Sequence, residues 1–131
     1  MTITYAWRGD VGNDALNALH AEGFGGPVAR IDRRGRLERH SLGWVCARDG
    51  GVLVGFVNVA WGGGVHAFVL DTVVAERCRG GGVGTSLVRL AAERSRAAGC
   101  QWLHVDFEER LRAFYVDAGG FRTTAAGLIA L

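Results

Sequence analysis

The chain has 131 residues, 49% hydrophobic and 21% charged, with a formal net charge of +2. That length predicts a single soluble globular domain, residues 1–131, with room for a substantial core, and so small a charge excludes a charge-driven nucleic-acid partner. No apolar stretch approaches the ~20 residues that span a bilayer, which excludes a membrane protein of that kind.

The opening "MTITYAWRGD" has neither the basic start nor the apolar core of a secretion signal. All 15 basic residues are arginine. A Schiff-base lysine and a lysine-dependent phosphate loop are therefore ruled out. Cys46, Cys78 and Cys100 are odd in number and lack metal-ligand spacing. They read as free thiols of a cytoplasmic protein that holds no metal.

In chain order, "TITYAW" (2–7) is expected to be a first strand. "NDALNALHAEGF" (13–24) carries Leu16, Leu19 and His20 at helical spacing behind Asn13, a candidate N-cap. Pro27, the only proline, breaks it with Gly25 and Gly26. A second short helix is expected over 28–41. Residues 43–61 read as two strands around the turn Asp49-Gly50-Gly51. A third strand runs over 66–76, followed by a glycine loop and a helix whose apolar stripe is Val83, Leu87, Leu90, Ala91 and Ala98, with Gly99 as its stop. "QWLHVDF" (101–107) is a strand, 109–119 a helix, and 120–131 a pair of short terminal strands. Trp7, Trp44, Trp61 and Trp102 are core candidates, and Trp61, beside a glycine turn, could also reach a substrate cleft. The order strand, loop, helix, strand over 66–107 implies a parallel pair with a right-handed crossover. The earlier tight turns imply antiparallel neighbours, hence a mixed α+β sheet with helices on its faces.

The glycine loop carries the chemistry. A dinucleotide fingerprint would need glycine at 85 or 87, where Thr85 and Leu87 stand. What remains is a run of bare amides at a helix N-terminus, which favours an anion such as a phosphate; a tight turn without a ligand is the alternative.

"RGGGVG" (79–84) resembles the acyl-CoA signature Q/R-x-x-G-x-G/A of the GNAT family of N-acetyltransferases, with Arg79, Gly82 and Gly84 in its fixed places and Val83 as its aliphatic residue. "LDTVV" (70–74) is similar to the strand that precedes that loop, and "AFYVDAGGF" (113–121) to the family's "FYEKLGF"-type segment with one residue added between Tyr115 and Phe121. The element order also matches over nearly the whole chain. The resemblance implies a twisted, mostly antiparallel mixed sheet of about 6–7 strands with about 4 helices. It also implies acetyl-CoA as co-substrate, with transfer to a small-molecule or peptide amine. The alternative is a non-catalytic acyl-CoA-binding or sensing module on the same fold. A homodimer stays open.

By the same resemblance, backbone groups of Thr72, Val73 and Val74 bond the pantetheine arm, while Arg79 and the amides of Gly80, Gly81, Gly82, Val83, Gly84 and Thr85 surround the pyrophosphate. Tyr115 would protonate the leaving thiolate. Glu108 stands where an asparagine often contacts the cofactor. Asp71 occupies a place where family members often carry an acid facing the acceptor, which makes it the candidate base. Regular alternation puts Asp71 with Val69 and Val73, although a bulge would turn it. Asp106 and Glu108, at the carboxyl end of the next strand, are candidates for orienting the ammonium. His66 and His104 read as structural. Arg30, Arg33, Arg34, Arg36 and Arg39 read as a solvated helix face or as a basic lid for an acceptor bearing a carboxylate or phosphate.

Overall fold

The computed structural model describes residues 2–131. Its elements are β1 (Ile3–Trp7), α1 (Asn13–Phe24), α2 (Arg33–His40), β2 (Ser41–Asp49), β3 (Val52–Trp61), β4 (His66–Val74), α3 (Val83–Ala97) and β5 (Trp102–Val105). A π-helical segment, Ala113–Ala118, follows a 3-10 turn at Glu109–Leu111. The five strands form one sheet in sequential order. The β1/β2, β2/β3 and β3/β4 pairs are antiparallel, and β4/β5 is parallel across the α3 crossover.

Tight turns and alternation account for most of this. Gly50 takes φ +62° in the two-residue link between β2 and β3, and Gly99 takes φ +96° just past α3. These are left-handed conformations that cost a side-chain-bearing residue more than glycine. In β3, Gly55 faces Val83 and Leu87 of α3, whereas the next residue, Phe56, shares a cavity with Leu16 of α1 and Leu37 of α2. The sheet is thus sandwiched, with α3 on one face and α1 and α2 on the other. Leu16, Val45, Val54, Val57, Val59 and Leu87 are fully buried between these layers, each such side chain contributing about 1.5–3 kcal/mol by leaving water.

The structure corrects several expectations. There are five strands, not 6–7, because residues 120–131 form no strand. Apart from Phe121, the large apolar residues of that tail, Leu128, Ile129 and Leu131, stay exposed, so it buries too little surface to offset the entropy of strand formation. Asn13 does not cap α1, whose N-cap is Gly12 without a side-chain acceptor. Its amide instead ties the two helices together, donating to Asp32 Oδ1 and accepting from the Arg34 N–H. Asp32 caps α2 by accepting from the Gly35 N–H at 3.0 Å, which starts that helix at Arg33 instead of 28 and holds its carboxyl below the usual range. Trp44 is buried and Trp7 and Trp61 half-buried, but Trp102 is 52% exposed, with the Arg122 guanidinium 5.9 Å from its ring centroid.

The largest departure lies in β4. Phe56 pairs with Val73 and Asn58 with Leu70, so Val57 alone stands opposite both Asp71 and Thr72. This is a β-bulge, and Asp71 takes φ +56° within it. The extra residue resets the alternation. Val69, paired with Val59, lies on the α3 side, while Val73 packs against Gly23 of α1. The expected single face for Val69, Asp71 and Val73 does not exist.

Cys46, buried in β2, supplies a pH test of this packing. Burial pushes its thiol up to about 11, against an ordinary value of 9.0; Arg48 opposes the shift and Asp10 adds to it. The unfolded chain therefore releases this proton first, and stability present below pH 9 is lost as pH rises through about 11. Urea unfolding midpoints between pH 8 and 11 should fall less steeply for Cys46→Ala than for the wild type.

Candidate active site

The parallel pairing of β4 and β5 ends at Val69 and Val105, while β4 runs on to Val74. Over 70–74 its β5-side edge therefore has no strand partner, and the backbone groups on that edge, the Val74 carbonyl held by Arg79 apart, remain available to a ligand. A cleft of about 420 Å³ opens there. Its walls are Thr72, Val73 and Val74 of β4, the loop from Arg79 to Thr85, and Leu111, Phe114 and Tyr115. Gly81, on the loop, is absent from that lining.

The loop has the geometry of an anion cradle. Gly80 and Gly82 take φ +80° and +85°, with open space where a Cβ would stand. Gly82 is the N-cap of α3 and no side chain caps that end, so the first amides of the helix, at Val83, Gly84 and Thr85, are free to meet a phosphate. Arg79 donates from Nε to the Val74 carbonyl at 3.1 Å, tying the loop to the end of β4. Gly84 acts by packing, since a Cβ there would come within 2.9 Å of the Phe114 ring. At the other end of the cleft, Thr72 Oγ1 is buried without a partner, alone in this among the described residues. An orphaned hydroxyl beside an open strand edge fits a ligand that hydrogen-bonds along the strand.

Tyr115 is only 6% exposed and reaches the cleft from the π-helical segment. Its ring stacks on Phe107 at 5.4 Å and meets Phe114 and Phe121 edge-on. The added residue recognised in the sequence is absorbed by this segment. The Gly119 N–H reaches back five residues to the Phe114 carbonyl at 2.9 Å, a π-type bond. The helix expected over 109–119 is thus a 3-10 turn followed by a widened turn, and the extra residue sits downstream of Tyr115.

The seam between this cleft and a second cavity on the α1/α2 side falls at the bulge: Thr72 lines the cleft, and Asp71 lines the second cavity with His20, Arg33, Arg36, Phe56 and Asn58. Its Oδ1 is 3.3 Å from His20 Nε2, and both side chains are partly exposed. Sequence reading placed His20 only on the helical stripe of α1. Gly23, on the same helix face one turn later, was the available signal for a close helix–strand approach. Of the five arginines, Arg33 is turned inward, 8% exposed, with Nε donating to Asn17 Oδ1 at 2.6 Å. Arg34 instead pairs with Asp10 and Glu38 on the surface. Asp106 and Glu108 lie outside both cavities and are exposed, Glu108 held by Arg110 Nε at 2.8 Å. His66 and His104 face each other across β4 and β5, with 2.7 Å between ring nitrogens. No group of three or more His, Cys, Asp or Glu side chains placed to hold a metal ion occurs among the described residues.

A model of the acetyltransferase (GNAT) family matches residues 13–121, and the chain belongs to that family. A probable glucosamine 6-phosphate N-acetyltransferase of Oryza sativa subsp. japonica is 40% identical over 58 residues, which are 44% of this chain and 35% of the rice protein. The fold matches the crystal structure of glucosamine-6-phosphate N-acetyltransferase from Arabidopsis thaliana, with a TM-score of 0.78 at 16% identity over 98% of each chain. It also matches an aminoglycoside N-acetyltransferase in complex with CoA, with a TM-score of 0.80 at 16% identity, covering 99% of this chain and 94% of that one.

The loop geometry separates two glycines that look alike in sequence. Gly82→Ala forces a side chain into the left-handed region, at about 1–2 kcal/mol. At Gly81 an added Cβ would make only an ordinary 3.7 Å contact with the Cys78 carbonyl, so Gly81→Ala should stay within about 0.5 kcal/mol. Urea denaturation of the two variants checks the difference.

Proposed function

We propose that the protein is an acetyl-CoA-dependent N-acetyltransferase that acts in the cytoplasm and moves the acetyl group directly to a small-molecule amine in a ternary complex. The observation that carries this reading is the single cleft that joins an uncapped helix N-terminus, an open strand edge with an orphaned hydroxyl, and a buried tyrosine. Each part suits one portion of the donor. The α3 amides and the glycine cradle suit the pyrophosphate. The open edge of β4 at Thr72–Val74 suits the amide-bearing pantetheine arm. Tyr115 stands where the sulfur would end. The relatives named above carry amino-sugar acceptors in their names, which agrees with an amine acceptor. The free thiols Cys46 and Cys100 suit a reducing compartment.

Amide formation from a thioester needs a neutral amine, a polarised carbonyl and a protonated leaving group. Holding amine and thioester in attack geometry at the bulge supplies much of the rate, up to about 7–11 kcal/mol in well-oriented intramolecular reactions. A backbone N–H on the open edge of β4 would meet the developing oxyanion. As nitrogen bonds to the carbonyl carbon, the C–S bond breaks and Tyr115 gives its proton to the thiolate. Asp71, at the seam, attracts the ammonium form of the acceptor, which gives one proton to solvent before the neutral amine attacks the carbonyl carbon.

Isothermal titration should show acetyl-CoA binding to the wild type. Gly82→Glu places a side chain and a negative charge in the cradle, so it should abolish binding while circular dichroism stays unchanged; equal affinity would remove the phosphates from this loop. Tyr115→Phe should keep acetyl-CoA affinity and lower turnover with a good amine by about 10²–10⁴-fold. CoA release measured by thiol titration reads the effect, and a rate within twofold of wild type would leave the tyrosine a packing residue.

A further inference from the structure

We propose that the proton leaving the acceptor amine goes to His20, and that Asp71 holds this imidazole in the tautomer able to take it. The inference rests on the N-acetyltransferase reading and assigns its base. His20 Nε2 lies 3.3 Å from Asp71 Oδ1. A carboxylate only accepts, so Nε2 carries the hydrogen in the neutral pair and Nδ1 keeps its lone pair. Nδ1 has no protein partner among the described residues. This is the arrangement in which a carboxylate orients a histidine base and stabilises the imidazolium that forms.

Three features build the contact. The bulge inserts one residue into β4, and Asp71 accepts φ +56°, which turns its side chain toward the α1 side. Gly23 has no Cβ to strike Val73, so α1 lies close over β4 and carries His20, one turn earlier, onto Asp71. Phe24 then packs against the imidazole at 4.5 Å between centroids. Backbone strain held at a contact of this kind is characteristic of functional positions. The cavity the pair lines has a volume of about 10 Å³, room for about one water. The acceptor nitrogen therefore stays at the bulge and its proton crosses one water to Nδ1. As the N–C bond forms, that proton passes to His20 and later to solvent, while the departing sulfur takes its proton from Tyr115. The groups facing the imidazole are Asp71 and Asn58 from the sheet and Arg33 and Arg36 from α2.

The test uses the full chain, acetyl-CoA, and whichever primary amine of a panel of amino sugars, amino acids and polyamines gives the fastest CoA release. His20→Gln retains an N–H donor for Asp71 but cannot accept a proton. It should bind acetyl-CoA within twofold of wild type, lose about 10²-fold or more in kcat/KM at pH 7, and lack the acid limb expected in the wild-type pH–rate profile. Added imidazole should restore turnover to His20→Ala. Nitrogen-15 NMR of the wild-type imidazole should show hydrogen on Nε2, a preference that Asp71→Asn weakens. A His20→Gln enzyme with the wild-type acid limb and a rate within threefold overturns the assignment, as does hydrogen on Nδ1. A wild type that releases no CoA with any amine overturns the transferase reading itself, a result distinct from both.

Discussion

One register shift organises the functional half of this molecule. Val57 faces two residues of β4 instead of one, and the placement of Asp71, Thr72 and Val73 follows from that extra residue. It carries Val73 to the α1 face, beneath Gly23, and it puts Asp71 into the left-handed region beside His20. It also falls where β4 and β5 part, just past the Val69–Val105 pair. A regular β4 would keep Val69, Asp71 and Val73 on one face, the α3 side, away from His20. The bulge is a local cost that the packing of α1 and α3 on opposite faces can hold in place.

The two sides of that seam differ in kind. On the cleft side the groups are mostly backbone: helix amides, a strand edge and glycines without side chains, with Tyr115 as the main polar side chain deep among aromatic rings. Such a surface would suit the shape and hydrogen-bonding of a long, constant donor. On the α1/α2 side the groups are titratable side chains, His20, Asp71, Arg33 and Arg36, which suits a smaller and more variable acceptor. Arg33 is the odd member, buried with its Nε donating to the neutral Asn17; its charge is met by no carboxylate within ion-pair distance among the described residues.

Much of this was legible in the sequence, and the limits have physical reasons. The glycine loop was readable because left-handed φ and helix N-termini leave a composition signature, visible at Gly80 and Gly82. The parallel step between β4 and β5 was readable from the intervening helix. Tyr115 was readable from its motif, and the added residue was visible too, but not that a π-type turn would absorb it, because that depends on how Phe114 packs against Gly84. The partnership of His20 with Asp71 was out of reach: it requires the register between β3 and β4, which is set by cross-strand packing and not by either strand alone. Residues 120–131 show the opposite error, where a few apolar letters suggested strands that the sheet does not contain. Asn13 was assigned to the wrong helix end for a similar reason, since its partners Asp32 and Arg34 are distant in the chain.

The stretch of β4 from 70 to 74 has a bare edge without lying at the margin of the sheet. Bare strand edges invite other chains to add to them and nucleate aggregates, and proteins usually blunt them with charge, proline or a covering loop. Here the protection is geometric. The gap is closed at one end by the Val69–Val105 pair, and the rings of Phe114 and Tyr115 line it with the glycine loop. An intruding β-strand would need a straight run of pairing beyond Val105 in both directions, and β5 occupies half of it. A short notch of this kind suits a thin, amide-bearing arm better than a polypeptide with side chains on both faces. The same recess that leaves hydrogen bonds free for a ligand thereby keeps them from self-association.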